Sequence, residues 1–245
     1  TMTITSSTAD TGATTGTAAF ALTFTSNEAT TDFIADDITA NSCTLSSLTG
    51  SSSTVYTATC APADGATASV LVAASTFNDA VGNDNTVSNT YSWTYDGTGP
   101  TMTITSATVD SGSSTATAAV ALVFTSNEVT TDFAQVDITE SGCSLGTFAA
   151  TSSTVYTDTC TVSADGAASV LVAASTFTDA VSNDNSVSNT YSWTQDDTGP
   201  TMTITSNTIA SGGTTATAAV VLIYTSNEAT SNFAAADITD TGCTD

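Results

Sequence analysis

The chain contains no lysine, no arginine and no histidine in 245 residues. Against that absence stand 24 aspartates and glutamates, for a formal net charge of −24. With no cationic side chain to neutralise phosphates, nucleic-acid binding is excluded as a function class. Attraction to an anionic membrane surface fails for the same reason. Catalysis also loses most of its reagents. There is no His or Lys to serve as a general base near neutral pH, and no Arg or Lys to hold an oxyanion. Only paired carboxylates or a carboxylate-held metal could carry chemistry, so the sequence reads as a non-enzyme. No apolar run approaches the ~18 residues a membrane helix needs, and no membrane insertion is expected within this segment. No Asn-x-Ser/Thr sequon occurs, so N-glycosylation is not expected.

What is present is a core-forming share of hydrophobic residues, 40% of the chain, set among serine and threonine. That share separates the sequence from an acidic disordered tail. Threonine favours strands.

The strongest signal is internal repetition. Thr1-Met-Thr-Ile-Thr-Ser6 recurs at Thr101–Ser106 and Thr201–Ser206, a period of 100 residues. Val70–Phe77 recurs as Val170–Phe177, and Ser88–Thr94 as Ser188–Thr194. The division this gives is a first unit at 1–100, a second at 101–200, and an incomplete third at 201–245 holding only the N-terminal strands. The third unit breaks off before half its strands have been written. The repeat predicts a continuation in which Cys243 would meet a partner at position 260.

Within one unit, Phe20, Leu22 and Phe24 alternate with Ala21, Thr23 and Thr25, the period of a half-buried strand. Similar reasoning gives seven strands: 2–6, 20–25, 30–39, 42–49, 54–60, 68–74 and 86–95, with turn signals between them. No apolar period of 3.6 residues is sustained. The expected fold is all-β: tandem seven-stranded Ig-like β-sandwiches arranged end to end. The connections Asp96-Gly-Thr-Gly-Pro100 and Asp196-Asp-Thr-Gly-Pro200 are short and carry proline, which favours a rod over flexibly strung beads.

The segments Ile-Thr-Ser (4–6), Leu-x-Phe-Thr-Ser-Asn-Glu (22–28), Asp-Ile-Thr (37–39), Val-Tyr-Thr (55–57), Ala-Asp-Gly (63–65) and Phe-x-Asp-Ala-x-x-Asn (77–83) resemble the bacterial Ig-like repeats of large extracellular adhesins and surface fibre proteins. The resemblance covers the whole chain. It implies an extracellular or cell-surface spacer, adhesin stalk or filament subunit, with copies of itself or other repeats as partners. Two features depart from the family pattern, the cysteine pair and the absence of lysine. Without lysine, the Lys–Asn isopeptide cross-links of some such stalks cannot form.

Cys43 and Cys60 flank a hairpin whose midpoint falls in Ser51-Ser52, so symmetric pairing would set them opposite each other. Cys143 and Cys160 repeat the relation. Disulfides 43–60 and 143–160 are expected, leaving Cys243 unpaired. Each would stabilise its unit by about 3 kcal/mol and implies an oxidising compartment. The competing readings are buried free thiols or a metal site, and the spacing is not that of a zinc centre.

The acids suggest a second candidate. In a seven-stranded sandwich the turn at Glu28 and the loop 79–85 share a pole that faces the preceding unit. At the first junction this would gather Asp96, Glu128, Asp179 and Asp184. At the second it would gather Asp196, Asp197 and Glu228. Such oxygen donors suit Ca²⁺. No cofactor is otherwise required, and ordinary solvated turn residues explain the same acids.

Three functions compete: a structural repeat, a carbohydrate- or protein-binding adhesin module, and a hydrolase resting on Asp179 and Asp184. The recurrence of Asn83-Asp84-Asn85 as Asn183-Asp184-Asn185 favours a repeated structural role.

Overall fold

The computed structural model describes residues 1–243. In the first unit the alternating segments form β1 (Met2–Thr5), β2 (Thr14–Thr15), β3 (Phe20–Ser26), β4 (Ile38–Asn41), β5 (Cys43–Leu45), β6 (Thr49–Gly50), β7 (Val55–Pro62), β8 (Thr67–Val72) and β9 (Tyr91–Tyr95). One sheet runs β1-β3-β7-β5, with β6 also on β7; the other runs β2-β9-β8-β4. The second unit repeats this with β10 (Met102–Thr105), β11 (Ser114–Thr115), β12 (Ala119–Ser126), β13 (Ile138–Ser141), β14 (Ser144–Leu145), β15 (Ala149–Ala150), β16 (Val155–Thr161), β17 (Gly166–Val172) and β18 (Tyr191–Gln195). The chain is all-β, with two Ig-like sandwiches in tandem.

Period-two alternation decides which face is buried. On β3, Phe20, Leu22 and Phe24 point inward and meet Met2, Ile4, Val70, Val72, Tyr91 and Trp93 from the neighbouring strands and the facing sheet. Phe20 packs on Trp93 with ring centroids 4.9 Å apart. Of the aromatics on β9, Tyr91 and Trp93 are fully inside the core, and Tyr95 is half-buried. The Tyr91 hydroxyl donates to the Ala9 carbonyl, tying the β1–β2 connection to β9.

Several elements differ from the expected strands. The strand expected at 30–39 is a turn of 3₁₀ helix, Ala35–Asp37, followed by β4. Asp37 caps that turn by accepting from the Ile34 amide at 2.8 Å. The segment expected as one strand over 42–49 divides into β5 and β6. Between β4 and β5 the chain changes sheets at Ser42, whose φ of +57° lies in the left-handed region. Gly142 and Gly242 hold the same position with φ of +73° and +85°. The strand expected over 86–95 begins only at Tyr91, because Ser88 and Asn89 are engaged elsewhere: Ser88 bonds Val72 of β8, and the Asn89 side chain bonds the Ile4 backbone of β1. The pair Thr14–Thr15 adds a short parallel contact to β9 that period alone does not reveal. Counting β1/β2 and β5/β6 each as one interrupted strand gives the seven of the sequence reading.

Beyond residue 200, β19 (Met202–Thr205) pairs with β20 (Ile223–Ser226) in a two-stranded sheet. Met202, Ile204, Leu222 and Phe233, counterparts of buried Met2, Ile4, Leu22 and Phe33, are exposed.

Candidate functional site at the inter-unit junction

Disulfides join Cys43 to Cys60 and Cys143 to Cys160, each pair with Cα atoms 5.7 Å apart. Cys243 is a free, exposed thiol. The bonded cysteines are not opposite each other, as hairpin symmetry had suggested. Cys43 faces Pro62, and Cys60 faces Leu45, so each bond runs diagonally. The cause is where the hairpin turns: the β6–β7 pairing is centred on Ser53 and the β5–β7 pairing between Ser52 and Ser53, beyond the Ser51-Ser52 midpoint of the cysteines, so Cys43 comes to lie opposite Pro62 instead of Cys60. Cys60 and Cys160 are completely buried, so each staple closes on the sandwich core.

The junction is built from three parts. First comes the linker. Asp64, in the β7–β8 turn, accepts from the Gly97 amide at 2.6 Å and from the Thr98 hydroxyl. Those hydrogen bonds hold its carboxyl below the usual carboxylate range. Asp165 holds the second linker likewise, accepting from the Thr198 hydroxyl and, at 2.9 Å, from the Asp197 amide. Each unit thereby fixes the direction in which its chain leaves. The sequence reading had treated Ala63-Asp64-Gly65 only as a turn; the recurrence of an acid at 64 and 165 was the available signal.

Second comes the loop 179–185. Asp179 accepts from the amides of Val181 and Asn183 at 2.8 and 2.9 Å and from Asn183 Nδ2 at 2.9 Å. Asp79 makes the same bonds in the first unit. This acid therefore shapes its own loop whether or not a unit lies against it. Behind it, buried Asn185 accepts from the Thr176 and Phe177 amides and donates to the Ala173 and Ser186 carbonyls.

Third comes the contact itself. Asn183 Nδ2 donates to the Asp96 carbonyl at 2.8 Å, and the Ser186 amide donates to the Pro100 carbonyl at 2.9 Å. Val81 at the uncovered pole of the first unit is 83% exposed, whereas Val181 at the covered pole is half-buried. Asp79 is half-buried, and Asp179 is only 5% exposed.

At this contact Asp96, Glu128 and Asp179 each place a carboxylate oxygen within 4.8 Å of the others. Asp184 is not part of the group. Its side chain is exposed while its backbone faces Gly99, because the chain there bridges to Thr178. Asp196 and Asp197 at the second linker are exposed, and Glu228 is half-buried. Among the described residues the first-junction trio is the one such cluster. Burial pushes the Glu128 carboxyl up, and the Asp96 and Asp179 charges push it further. The donors are all hard oxygens, and the chain has no basic side chain to offset them. Three of the roughly four acceptor sites of Asp179 are already used, which leaves room for one more partner. The set fits a hard divalent cation.

A buried carboxylate also escaped the sequence reading. Asp158 on β16 is 3% exposed and accepts from Gln135 Nε2 at 2.7 Å and from the Gly146 amide at 3.0 Å. The first unit has Ala35 and Ala58 at these places. The paired change between units was the signal.

Comparison with known proteins places these features. No curated protein sequence matches the chain. Among solved structures, InvD of Yersinia pseudotuberculosis is similar at 17% identity, covering 84% of this chain and 62% of that one, with a TM-score of 0.37. The adhesin InvE of the same organism is similar at 16% identity, covering 80% of this chain and 58% of that one, with a TM-score of 0.30. A Bacteroides ovatus glucan-utilisation protein, SGBP-B, solved with a mixed-linkage heptasaccharide, shares 15% identity over 75% of this chain and 42% of that one, with a TM-score of 0.25. The chain thus spans less than two thirds of each of these proteins. A family model described as bacterial Ig-like domain matches residues 1–95 and again 96–194, and the chain belongs to that family.

Proposed function

We propose that this chain is a structural spacer, a run of disulfide-stapled Ig-like repeats in a long extracellular or cell-surface stalk or filament. The observation that carries the reading is the covered pole. The first unit seats on the second through the hydrogen bond from Asn183 to the Asp96 carbonyl, while Ser186 holds the Pro100 end of the linker to the second unit. Acid clamps at Asp64 and Asp165 fix both linkers. A binding module needs no such control over the direction of the next unit, whereas a spacer does. The two disulfides support an oxidising, extracellular setting. No described helix is long and apolar enough to cross a membrane. We assign no catalytic role.

The junction trio Asp96, Glu128 and Asp179 forms part of this reading as a Ca²⁺ site that locks the two units together. An ion there would replace mutual repulsion with shared coordination.

Small-angle scattering on the chain tests the spacer. A single elongated particle with a fixed angle between units is expected; a broad distribution of inter-unit angles would sink the idea. Thermal melting with Ca²⁺, Mg²⁺ and chelator tests the ion. Ca²⁺ should raise the melting temperature, and Glu128→Gln should remove most of that rise. No Ca²⁺ response would end the cation reading and leave the spacer standing.

A further inference from the structure

Gly16 lies beside the first linker, and its missing side chain faces the next unit. A Cβ built there would meet the Val181 carbonyl oxygen at 2.8 Å, Asn183 Oδ1 at 3.3 Å and the Asp96 carbonyl oxygen at 3.7 Å. The nearest of these is backbone, so it cannot swing aside as a side-chain tip would. The two nearest atoms belong to the second unit, and the Asp96 oxygen of the linker lies at an ordinary contact distance. Its φ is not positive, so conformational freedom is not the reason for glycine here. The reason is proximity to the second unit.

The second and third units carry alanine at this place, Ala116 and Ala216. The second unit's end differs in other ways too. Tyr95 is replaced by Gln195, which is 3% exposed and donates from Nε2 to the Ala116 carbonyl at 3.2 Å. Gly97 is replaced by Asp197. The receiving side keeps its contact residues in both complete units: Val81, Asn83 and Asp84 recur as Val181, Asn183 and Asp184, with Ser182 in place of Gly82 between them.

We propose that the Gly16 end of a unit is a selective seat for the Val-x-Asn-Asp loop of a following unit, and that alanine at that position refuses it. The partner surface is the 179–185 type loop, whose backbone must come within contact of residue 16 for Asn183 to reach the Asp96 carbonyl. The methyl group of an Ala116-type end holds the same loop away and imposes a second, looser junction geometry. Stiff and loose junctions would then be written along an array by one residue per unit. This inference rests on the spacer reading and adds to it which junctions are rigid.

Amide hydrogen exchange by NMR on the full chain tests it, comparing wild type with Gly16→Ala. The reporter is the Asn183 side-chain amide, bonded across the junction to the Asp96 carbonyl. The Asn83 side-chain amide, which bonds only within its own loop, is the internal control. Amides of Leu22 and Val70 report whether the first unit remains folded. Gly16→Ala should speed exchange at the Asn183 side chain by about tenfold or more, to the rate of Asn83, while Leu22 and Val70 keep their protection. Protection of the Asn183 side chain in wild type that persists unchanged in the variant overturns the selective seat and leaves the spacer intact. An Asn183 side chain that exchanges as fast as that of Asn83 in wild type overturns both. Should Leu22 and Val70 lose protection as well, residue 16 serves the fold of its own unit, and the selective seat is likewise overturned.

Discussion

Gln135 and Asp158 show how two units of one repeat can diverge in step. In the first unit Ala35 and Ala58 leave that region of the sandwich apolar. In the second a carboxylate sits 3% exposed, and its Oδ2 oxygen receives one side-chain donor, Gln135 Nε2 at 2.7 Å. A buried charge stripped of a partner is more costly than no charge at all. Gln135→Ala should therefore destabilise the second unit by roughly 1–3 kcal/mol. Adding Asp158→Ala should recover part of the loss, because it removes the buried charge; it does not recover all of it, because the Thr159 amide that Asp158 accepts from has no counterpart of Ser46, whose hydroxyl takes the Thr59 amide in the first unit. Urea unfolding followed through Trp193 measures both. A double variant no more stable than Gln135→Ala would show that the pair is not coupled. The same kind of comparison bears on Ser42. Its φ of +57° is unusual for a residue with a Cβ, yet the glycines at 142 and 242 mark the position as one that needs a left-handed backbone. Read from one unit, Ser42 is an ordinary strand residue; read across three, it is the point where the chain changes sheets.

At the scale of elements, legibility followed the length of each strand. β3 and β7 run for seven and eight residues, long enough for alternation to declare their buried faces. β2 and β6 are two residues each and carry no period. They are fixed by what they lie against, which no local pattern encodes. The cysteine pairs were legible from spacing, but their diagonal register was not, because it depends on the hairpin turning at Ser52-Ser53, beyond the midpoint of the cysteines. The junction acids were half legible. Asp96, Glu128 and Asp179 converge, while Asp184 turns outward because a bridge to Thr178 sets its backbone. The staple has a measurable consequence. Reducing both bonds should lower the stability of each sandwich by about 3 kcal/mol. The urea midpoints read at Trp93 and Trp193, with and without reductant, check this; unchanged midpoints would mean that the short strands β5 and β6, and β14 and β15, hold without the bond. Acid should act on the junction in two stages of opposite sign. The Glu128 carboxyl is raised by burial and then by its acidic neighbours, so its charge disfavours the junction at neutral pH. That penalty is relieved as pH falls through its raised folded pKa. Asp64 is lowered by the Thr98 and Gly97 hydrogen bonds. Its contribution is fully present above the unfolded carboxylate pKa and is lost only as pH falls through its depressed folded value. In chelator, mild acid should therefore tighten the inter-unit angle distribution and strong acid should widen it. A single monotonic loosening by scattering would contradict the assignment.

For the whole molecule, the distribution of charge matters as much as its sum. Of the described acids only Glu140 and Asp158 lie on named strands, and the rest occupy turns, linkers and poles. The outward positions of β1, β3 and β7 are Thr3, Thr5, Ala21, Thr23, Thr25, Val55, Thr57 and Thr59, without a charge among them. Repulsion is thus concentrated at the ends of each sandwich, where the next unit must approach. With a net charge of −24 and no basic side chain, the chain has no side-chain ion pair for salt to weaken. Added monovalent salt can only screen repulsion, over a Debye length of about 10 Å at 0.1 M. Most acidic proteins respond to salt through a balance, since screening weakens their salt bridges as well as their repulsions. Here the balance is one-sided. The melting temperature should rise monotonically with NaCl from a few millimolar upward, and the rise should be greater at the junction than within a sandwich. Exchange at the Asn183 side-chain amide, measured beside that of Leu22, separates the two. A melting temperature that falls with salt, or a junction amide indifferent to it, would mean that contacts other than electrostatic repulsion set how closely the units approach.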